Sequence, residues 1–325
     1  MTLPESLTSI GDNAFFDCSK CLEIAIPKNV TQIGESAFKY CDSILSVTLP
    51  EGLKEVKTGT FASCASLKRV IMYPSVEKIG YSAFVGFNLR NFSYLGTEEQ
   101  WNSIVIEAKN YDLTDAPRNY CAAISEVEPL IIYGFAGESV DWALNYDAKE
   151  ITLSGEGSAG EYEFRPNGLE SSAKWGKYSV ITETVVVEEG ITDLGVLSFY
   201  NFASLKEVRL PASLESIGLN VFLGCTALSD VYYTGSETVR DNVLTIDQTN
   251  ESVLNAQWHY SVSSLKAGDI NGDEKVNAMD VAIIKRIIVN KVSSDDFPGT
   301  ADMNSDGKIN AMDVLLLKKL VLGIS

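Results

Sequence analysis

The sequence predicts a mixed β/α chain: a solenoid in two arrays with β caps, followed by a small α-helical module. Three observations lead there. Phenylalanine returns every 23 residues at Phe15, Phe38, Phe61 and Phe84, and again at Phe199 and Phe222. A closing segment recurs after each run. Tyr94-Leu95-Gly96-Thr97-Glu98 matches Tyr233-Thr234-Gly235-Ser236-Glu237, and Asn110, Ala116 and Tyr120 match Asn250, Ala256 and Tyr260. Finally, two twelve-residue loops of one acidic pattern begin at Asp269 and Asp302, and each runs into an apolar-periodic stretch.

The repeating unit reads Ile-Gly-x-x-Ala-Phe-x-x-Cys-x-x-Leu-x-x-Val-x-Ile-Pro. Ile10, Ile33, Val56 and Ile79 precede the phenylalanines by five, and Cys18, Cys41 and Cys64 follow the first three by three. Ile24 and Ile26, Val47 and Leu49, and Val70 and Met72 alternate with period 2, as in a short half-buried strand. Pro27 and Pro50 follow two of these stretches, and proline cannot donate to a ladder, so it ends the strand. A unit this short cannot bury its apolar face alone, so neighbours must stack, with a parallel strand ladder on one face.

The repeat resembles the BspA-type leucine-rich repeats of secreted and surface bacterial proteins, over about residues 1–92 and again over 184–234. The resemblance implies a leucine-rich-repeat solenoid that presents a binding surface to a protein or glycan. The expected exposed strand residues Glu23, Ser46 and Arg69 form no aromatic platform, which favours a protein ligand. The segments 93–122 and 232–262 read as C-terminal caps. Strand-like stretches at 139–144, 150–153 and 178–187 read as a β N-cap opening the second array. The expected domains are 1–124, 125–265 and 266–325. Because Met1–Leu7 aligns with Val47–Leu53, the chain begins inside a repeat unit and is expected to be a fragment.

Composition narrows the chemistry. Across 325 residues, 44 acids against 26 bases give a formal charge of −18. Phosphate binding needs clustered Lys and Arg, so nucleic acid is excluded as a partner. Residues 268–325 carry nine acids and seven bases, so the acidity belongs to the repeats. No run of 18 apolar residues exists, so no transmembrane helix is expected. His259 is the single histidine, which excludes multi-histidine zinc sites and leaves one imidazole base. Its equivalent in the first cap is Asn119, so a structural edge-strand histidine is expected and no catalytic residue is assigned. Cys18, Cys41, Cys64 and Cys225 share one repeat position and are expected to be buried thiols acting as small apolar residues. Cys18 and Cys21 form a lone Cys-x-x-Cys with no second pair to complete a zinc site.

The C-terminal loops carry the most specific signal. In the first, Asp269, Asn271, Asp273, Asn277 and Asp280 supply side-chain oxygens at loop positions 1, 3, 5, 9 and 12, and Lys275 at position 7 supplies a carbonyl. The second repeats this 33 residues later with Asp302, Asn304, Asp306, Lys308, Asn310 and Asp313. Such oxygen-rich, tightly turned loops suit Ca²⁺, which takes about six to eight oxygens. Two Ca²⁺ ions are expected. The sixth position is Glu274 in the first loop and Gly307 in the second. A non-glycine residue at that sharp turn costs on the order of 1 kcal/mol, so the first site is expected to be the weaker.

With a helix directly after each loop and no helix of EF-hand length leading into it, the segment 267–325 resembles the dockerin module. That resemblance implies docking into a cohesin of a scaffoldin, as in cellulosomes, through Ala278, Met279, Lys285, Arg286 and Asn290, and through Ala311, Met312, Lys318, Lys319 and Gly323. Methionine offers adaptable apolar contact, and the paired bases suit acidic partner residues. The near-duplication of the two halves implies two binding orientations related by about 180°. The expected function is a non-catalytic, extracellular interaction protein. The alternatives are the tail of a larger dockerin-bearing glycosidase or peptidase, and a surface adhesin.

Overall fold

The computed structural model describes residues 3–86, 89, 91–136, 139–165, 171–260, 268–270, 275–290, 301–304 and 308–324. The chain divides into two compact units, Met1–Leu130 and Ile131–Ser325.

The first unit is built on two sets of parallel strands. Ser46–Thr48, Arg69–Met72, Asn91–Tyr94 and Arg118–Tyr120 form one sheet in that order. Val47 pairs with Val70 and Val70 with Phe92, so identical repeat positions stack directly. The second set comprises the pair Ser9–Ile10 and Gln32–Ile33, and the three-stranded sheet Glu55–Val56, Lys78–Ile79 and Val105–Ile106. The expected parallel ladder is present, and a second ladder accompanies it. The isoleucine or valine of each unit, with the polar residue before it, forms a two-residue strand too short to show period-2 alternation. Conversely, the stretch 24–26 holds only a single bridge residue, Ala25.

Between these ladders each unit turns tightly around its phenylalanine. The rings of Phe15, Phe38, Phe61 and Phe84 stack at 5.2, 5.2 and 5.4 Å, within 13° of parallel. The neighbouring backbones supply the hydrogen bonds: Phe38 N–H donates to the Thr60 carbonyl and Phe61 N–H to the Ala83 carbonyl, each at 2.9 Å. The glycine of Ile-Gly has a steric cause. A Cβ on Gly34 would lie 2.3 Å from Asp12 N, and one on Gly80 would lie 2.7 Å from Thr58 N. The turns also hold non-glycine residues in the left-handed region, among them Ser36, Tyr40 and Ser63.

In the second unit a seven-stranded sheet runs Ile131–Phe135, Val140–Asn145, Glu150–Gly155, Thr184–Val187, Glu207–Leu210, Asp230–Tyr233 and Gln257–Tyr260. The first two pairings are antiparallel and the later ones parallel. Gly157–Ser158, Ile191–Leu194, Ser216–Ile217 and Thr245–Ile246 form the companion sheet. Two of the expected opening strands lie at 140–145 and 150–155. The third is shorter than expected, because Gly176–Tyr178 forms a 3₁₀ turn that buries Tyr178 near Trp142. Trp175, fully buried, opens the ring ladder 5.7 Å from Phe199, and its indole N–H donates to the Ser198 carbonyl at 2.8 Å.

Each array is closed by one asparagine. Inside the second array, Phe199 N–H donates to the carbonyl of Val221 in the next repeat. Phe222 has no next repeat, and the Oδ1 of Asn250 accepts its N–H at 2.9 Å. The Nδ2 of Asn250 donates to the carbonyls of Gly218 and Asp247 at 2.8 and 2.9 Å. Asn110 repeats the arrangement, accepting from Phe84 N–H and donating to Gly80 and Glu107. A guanidinium then lids each cap: Arg118 lies 4.1 Å from the Trp101 ring centroid and Arg240 lies 4.8 Å from that of Trp258.

Candidate functional site

The candidate site is the pair of loop–helix motifs at the C-terminus. The helices Ala278–Asn290 and Ala311–Leu322 pack against each other. Val281, Ile283, Ile284, Ile287 and Leu317 are buried, following the helical apolar spacing.

The last acid of each loop acts as a clamp. Asp280 accepts the Ile270 N–H on Oδ1 at 2.7 Å and the Asn277 N–H on Oδ2 at 2.8 Å. Asp313 does the same with Met303 at 2.9 Å and Asn310 at 2.8 Å. One carboxylate thus ties the entry of the loop to its exit and fixes both to the first turn of the helix. Asn277 and Asn310 cap the helices, accepting the N–H of Met279 and Met312 at 2.7 and 2.9 Å. Gly323, at φ 64°, ends the second helix as its C-cap, and its N–H donates to the carbonyls of Leu320 and Lys319.

Burial is unusual for such acidic loops. Asp269, Asp280 and Asp313 are 1%, 0% and 0% exposed. Carboxylates are buried only when hydrogen-bonded, paired or metal-bound, and this donor chemistry fits a hard divalent cation. Asp302 is half-buried; Asn304, Lys275 and Lys308 are exposed. Asn271, Asp273 and Asp306 lie outside the described residues, as do Glu274 and Gly307. Among the described residues no group of three or more His, Cys, Asp or Glu side chains converges on a metal position. The backbone donors of Ile270 and Met303 escaped sequence reasoning, although an apolar residue follows the first acid of each loop.

Of the residues expected to contact a partner, Ala278, Lys285, Ala311, Met312, Lys318, Lys319 and Gly323 are exposed. Met279 and Arg286 are half-buried, and the side chain of Asn290 lies outside the described residues.

The repeats themselves, over residues 1–110 and 166–253, match the profile of the BspA type leucine-rich repeat region in six copies. The chain belongs to the BspA-type leucine-rich repeat family. Residues 267–322 match the dockerin type I domain. No curated protein matches the chain. Among solved structures, a leucine-rich repeat protein from Eubacterium ventriosum is 20% identical with a TM-score of 0.30, covering 36% of this chain and 28% of its own. One from Bacteroides ovatus is 19% identical with a TM-score of 0.30, covering 84% and 72%. A leucine-rich cell surface protein from Faecalibacterium prausnitzii is 20% identical with a TM-score of 0.27, covering 75% and 81%. The chain thus spans little more than a quarter of the Eubacterium ventriosum protein.

Both matched modules are non-catalytic. No described helix is long and apolar enough to cross a membrane. The BspA-type array holds two surprises. Ser46 and Arg69, expected as exposed strand residues, are 6% and 5% exposed. The segment after the first cap covers them: Arg69 donates from Nε to Ser46 Oγ at 3.0 Å and from Nη1 to the Glu128 carbonyl at 3.3 Å. The second array does carry aromatics on its strands. Tyr232 stacks on His259 at 4.4 Å. His259 sits on the edge strand Gln257–Tyr260, with Nε2 2.8 Å from Asp230 Oδ1. The Ser229 hydroxyl and the His259 ring hold the Asp230 carboxyl below its usual range.

The cysteines are free thiols, and those of the ladder are structural. Cys41, Cys64 and Cys225 donate to the carbonyls of Phe15, Phe38 and Phe199, one repeat back. Burial pushes the Cys41 thiol up to about 11, and Cys64 and Cys225 to about 12, which keeps all three protonated and unreactive.

Proposed function

We propose that this protein is a non-catalytic, extracellular adaptor whose dockerin binds a scaffoldin cohesin in a calcium-dependent way while its leucine-rich repeats hold a protein or glycan ligand. The observation that carries the reading is the duplicated clamp. Two loops 33 residues apart use the same buried aspartate, the same pair of backbone donors and the same asparagine cap. Ca²⁺ would be held by Asp269, Asn271, Asp273, the Lys275 carbonyl, Asn277 and Asp280, and by Asp302, Asn304, Asp306, the Lys308 carbonyl, Asn310 and Asp313. The ion would neutralise carboxylates that burial otherwise makes costly. Asp280 and Asp313 orient the loops by pinning both ends to the helices, and a cohesin would be contacted through Ala278, Met279, Lys285, Arg286 and Asn290 or through their counterparts Ala311, Met312, Lys318, Lys319 and Gly323.

Titration of the protein against a panel of cohesins, with calcium and with chelator, tests the reading. Calcium-dependent binding of at least one cohesin supports it; binding that survives chelation, or none, overturns it.

A further inference from the structure

The two dockerin halves repeat in sequence but differ in what surrounds them. In the first half, Arg286 Nη1 lies 2.6 Å from Oε2 of Glu215, a residue of the second repeat array. Nη1 is buried with its N–H directions off the carboxylate oxygen, so the contact is a close ion pair rather than an aligned hydrogen bond. A cleft of about 480 Å³ is walled by Glu156 of the opening β segment, by Glu189 and Thr192 of the array and by Lys275, Asn277 and Met279 of the first loop–helix. Of the first recognition face, Ala278 and Met279 line this cleft and Arg286 reaches Glu215, while Lys285 is exposed.

The second half has no such neighbour among the described residues. Met312, the counterpart of Met279, is 50% exposed. Lys319, the counterpart of Arg286, is exposed with Lys318. Leu315 and Leu322 add apolar surface, 49% and 68% exposed. A basic pair beside an apolar stripe fits a partner face that is apolar with an acidic margin.

We infer that the second repeat array, held at Arg286 by Glu215, obstructs the first recognition face, so that the protein docks through Met312, Leu315, Lys318, Lys319 and Leu322 alone. The inference rests on the cohesin reading above and narrows it. A stable docking interface needs about 800 Å² per partner. A globular cohesin cannot seat that area on a face whose Arg286 is within ion-pair distance of the array. The sequence duplication, by itself, implies two equivalent orientations; the packing removes one of them.

The test is calorimetric titration of the full chain with a cohesin that binds it, in calcium. The second-face variant Met312→Ala/Lys318→Ala/Lys319→Ala is expected to lose affinity about 100-fold, because central anchors carry most of the binding energy. The first-face variant Met279→Ala/Lys285→Ala/Arg286→Ala is expected to stay within about threefold. Far-ultraviolet circular dichroism checks that both variants keep their helices. Adding Glu215→Lys to the second-face variant places a base against Arg286 and is expected to restore binding by at least tenfold, by freeing the first face. Wild-type affinity in the second-face variant, or an equal loss in the first-face variant, overturns the inference and leaves the cohesin reading standing. A wild-type chain that binds no cohesin overturns the reading itself.

Discussion

Asn250→Ala removes the side chain that ends the second array. Asn250 is 0% exposed and makes three hydrogen bonds through its amide. Alanine deprives the buried Phe222 N–H of its acceptor and the Gly218 carbonyl of a donor; the Asp247 carbonyl still receives the Asn250 N–H at 3.0 Å. Each buried group deprived of its partner costs about 1–3 kcal/mol, so the substitution is expected to cost about 3 kcal/mol. For a unit of this size that is a fall in Tm of roughly 6–12 °C. The assay is urea unfolding followed by tryptophan fluorescence, which reports on the second unit through Trp142, Trp175 and Trp258. Asn255→Ala, an exposed asparagine of the same cap, serves as control and should stay within about 0.5 kcal/mol. Equal stabilities for the two variants would refute the claim that Asn250 stands in for a missing repeat.

Three further outcomes follow from the same geometry. Phe61→Ala, in the middle of the stacked rings and 1% exposed, should destabilise the first unit by about 3–5 kcal/mol, against a smaller loss for Phe15→Ala at the half-buried end, measured by urea midpoint. The ladder thiols are raised from 9.0 to about 11 or 12, so their stabilising share is complete below pH 9 and is lost as pH rises through the folded values. Urea midpoints should therefore fall between pH 9 and 11, and iodoacetamide at pH 8 should leave Cys64 and Cys225 unlabelled until the chain unfolds. Glu274→Gly should tighten the first calcium site by about fivefold in a calcium titration, the equivalent of the roughly 1 kcal/mol that a non-glycine residue is expected to cost at that loop position.

Much of the fold was legible because its signals are periodic. Phe15 to Phe84 repeat at 23, and a ring stacked on its own image needs the same residue at the same place in every turn. The closing role of Asn110 and Asn250 was visible as a match between caps, but not as a hydrogen-bond substitution, since nothing in sequence says which carbonyl has lost its neighbour. The second ladder escaped because two-residue strands leave no alternation, and Ile131–Phe135 escaped because its pairing with Val140–Asn145 is non-periodic. The burial of Ser46 and Arg69 depends on the segment reaching Glu128, 59 residues from Arg69, which no local pattern announces. At the candidate site the acids at loop positions 1 and 12 were readable from spacing, and the structure adds which backbone donors Asp280 and Asp313 hold. Glu215 was invisible as a neighbour of Arg286, because an exposed acid in a repeat carries no mark of what packs on it.

The account turns on the C-terminal module being a calcium-organised docking device. One measurement tests this most directly: isothermal titration of the intact chain against a cohesin panel, first in calcium and then after chelation. The account predicts one-to-one binding of at least one cohesin in calcium and its loss on chelation. Binding that persists without calcium, or silence across the panel with the calcium loops loaded, would contradict it.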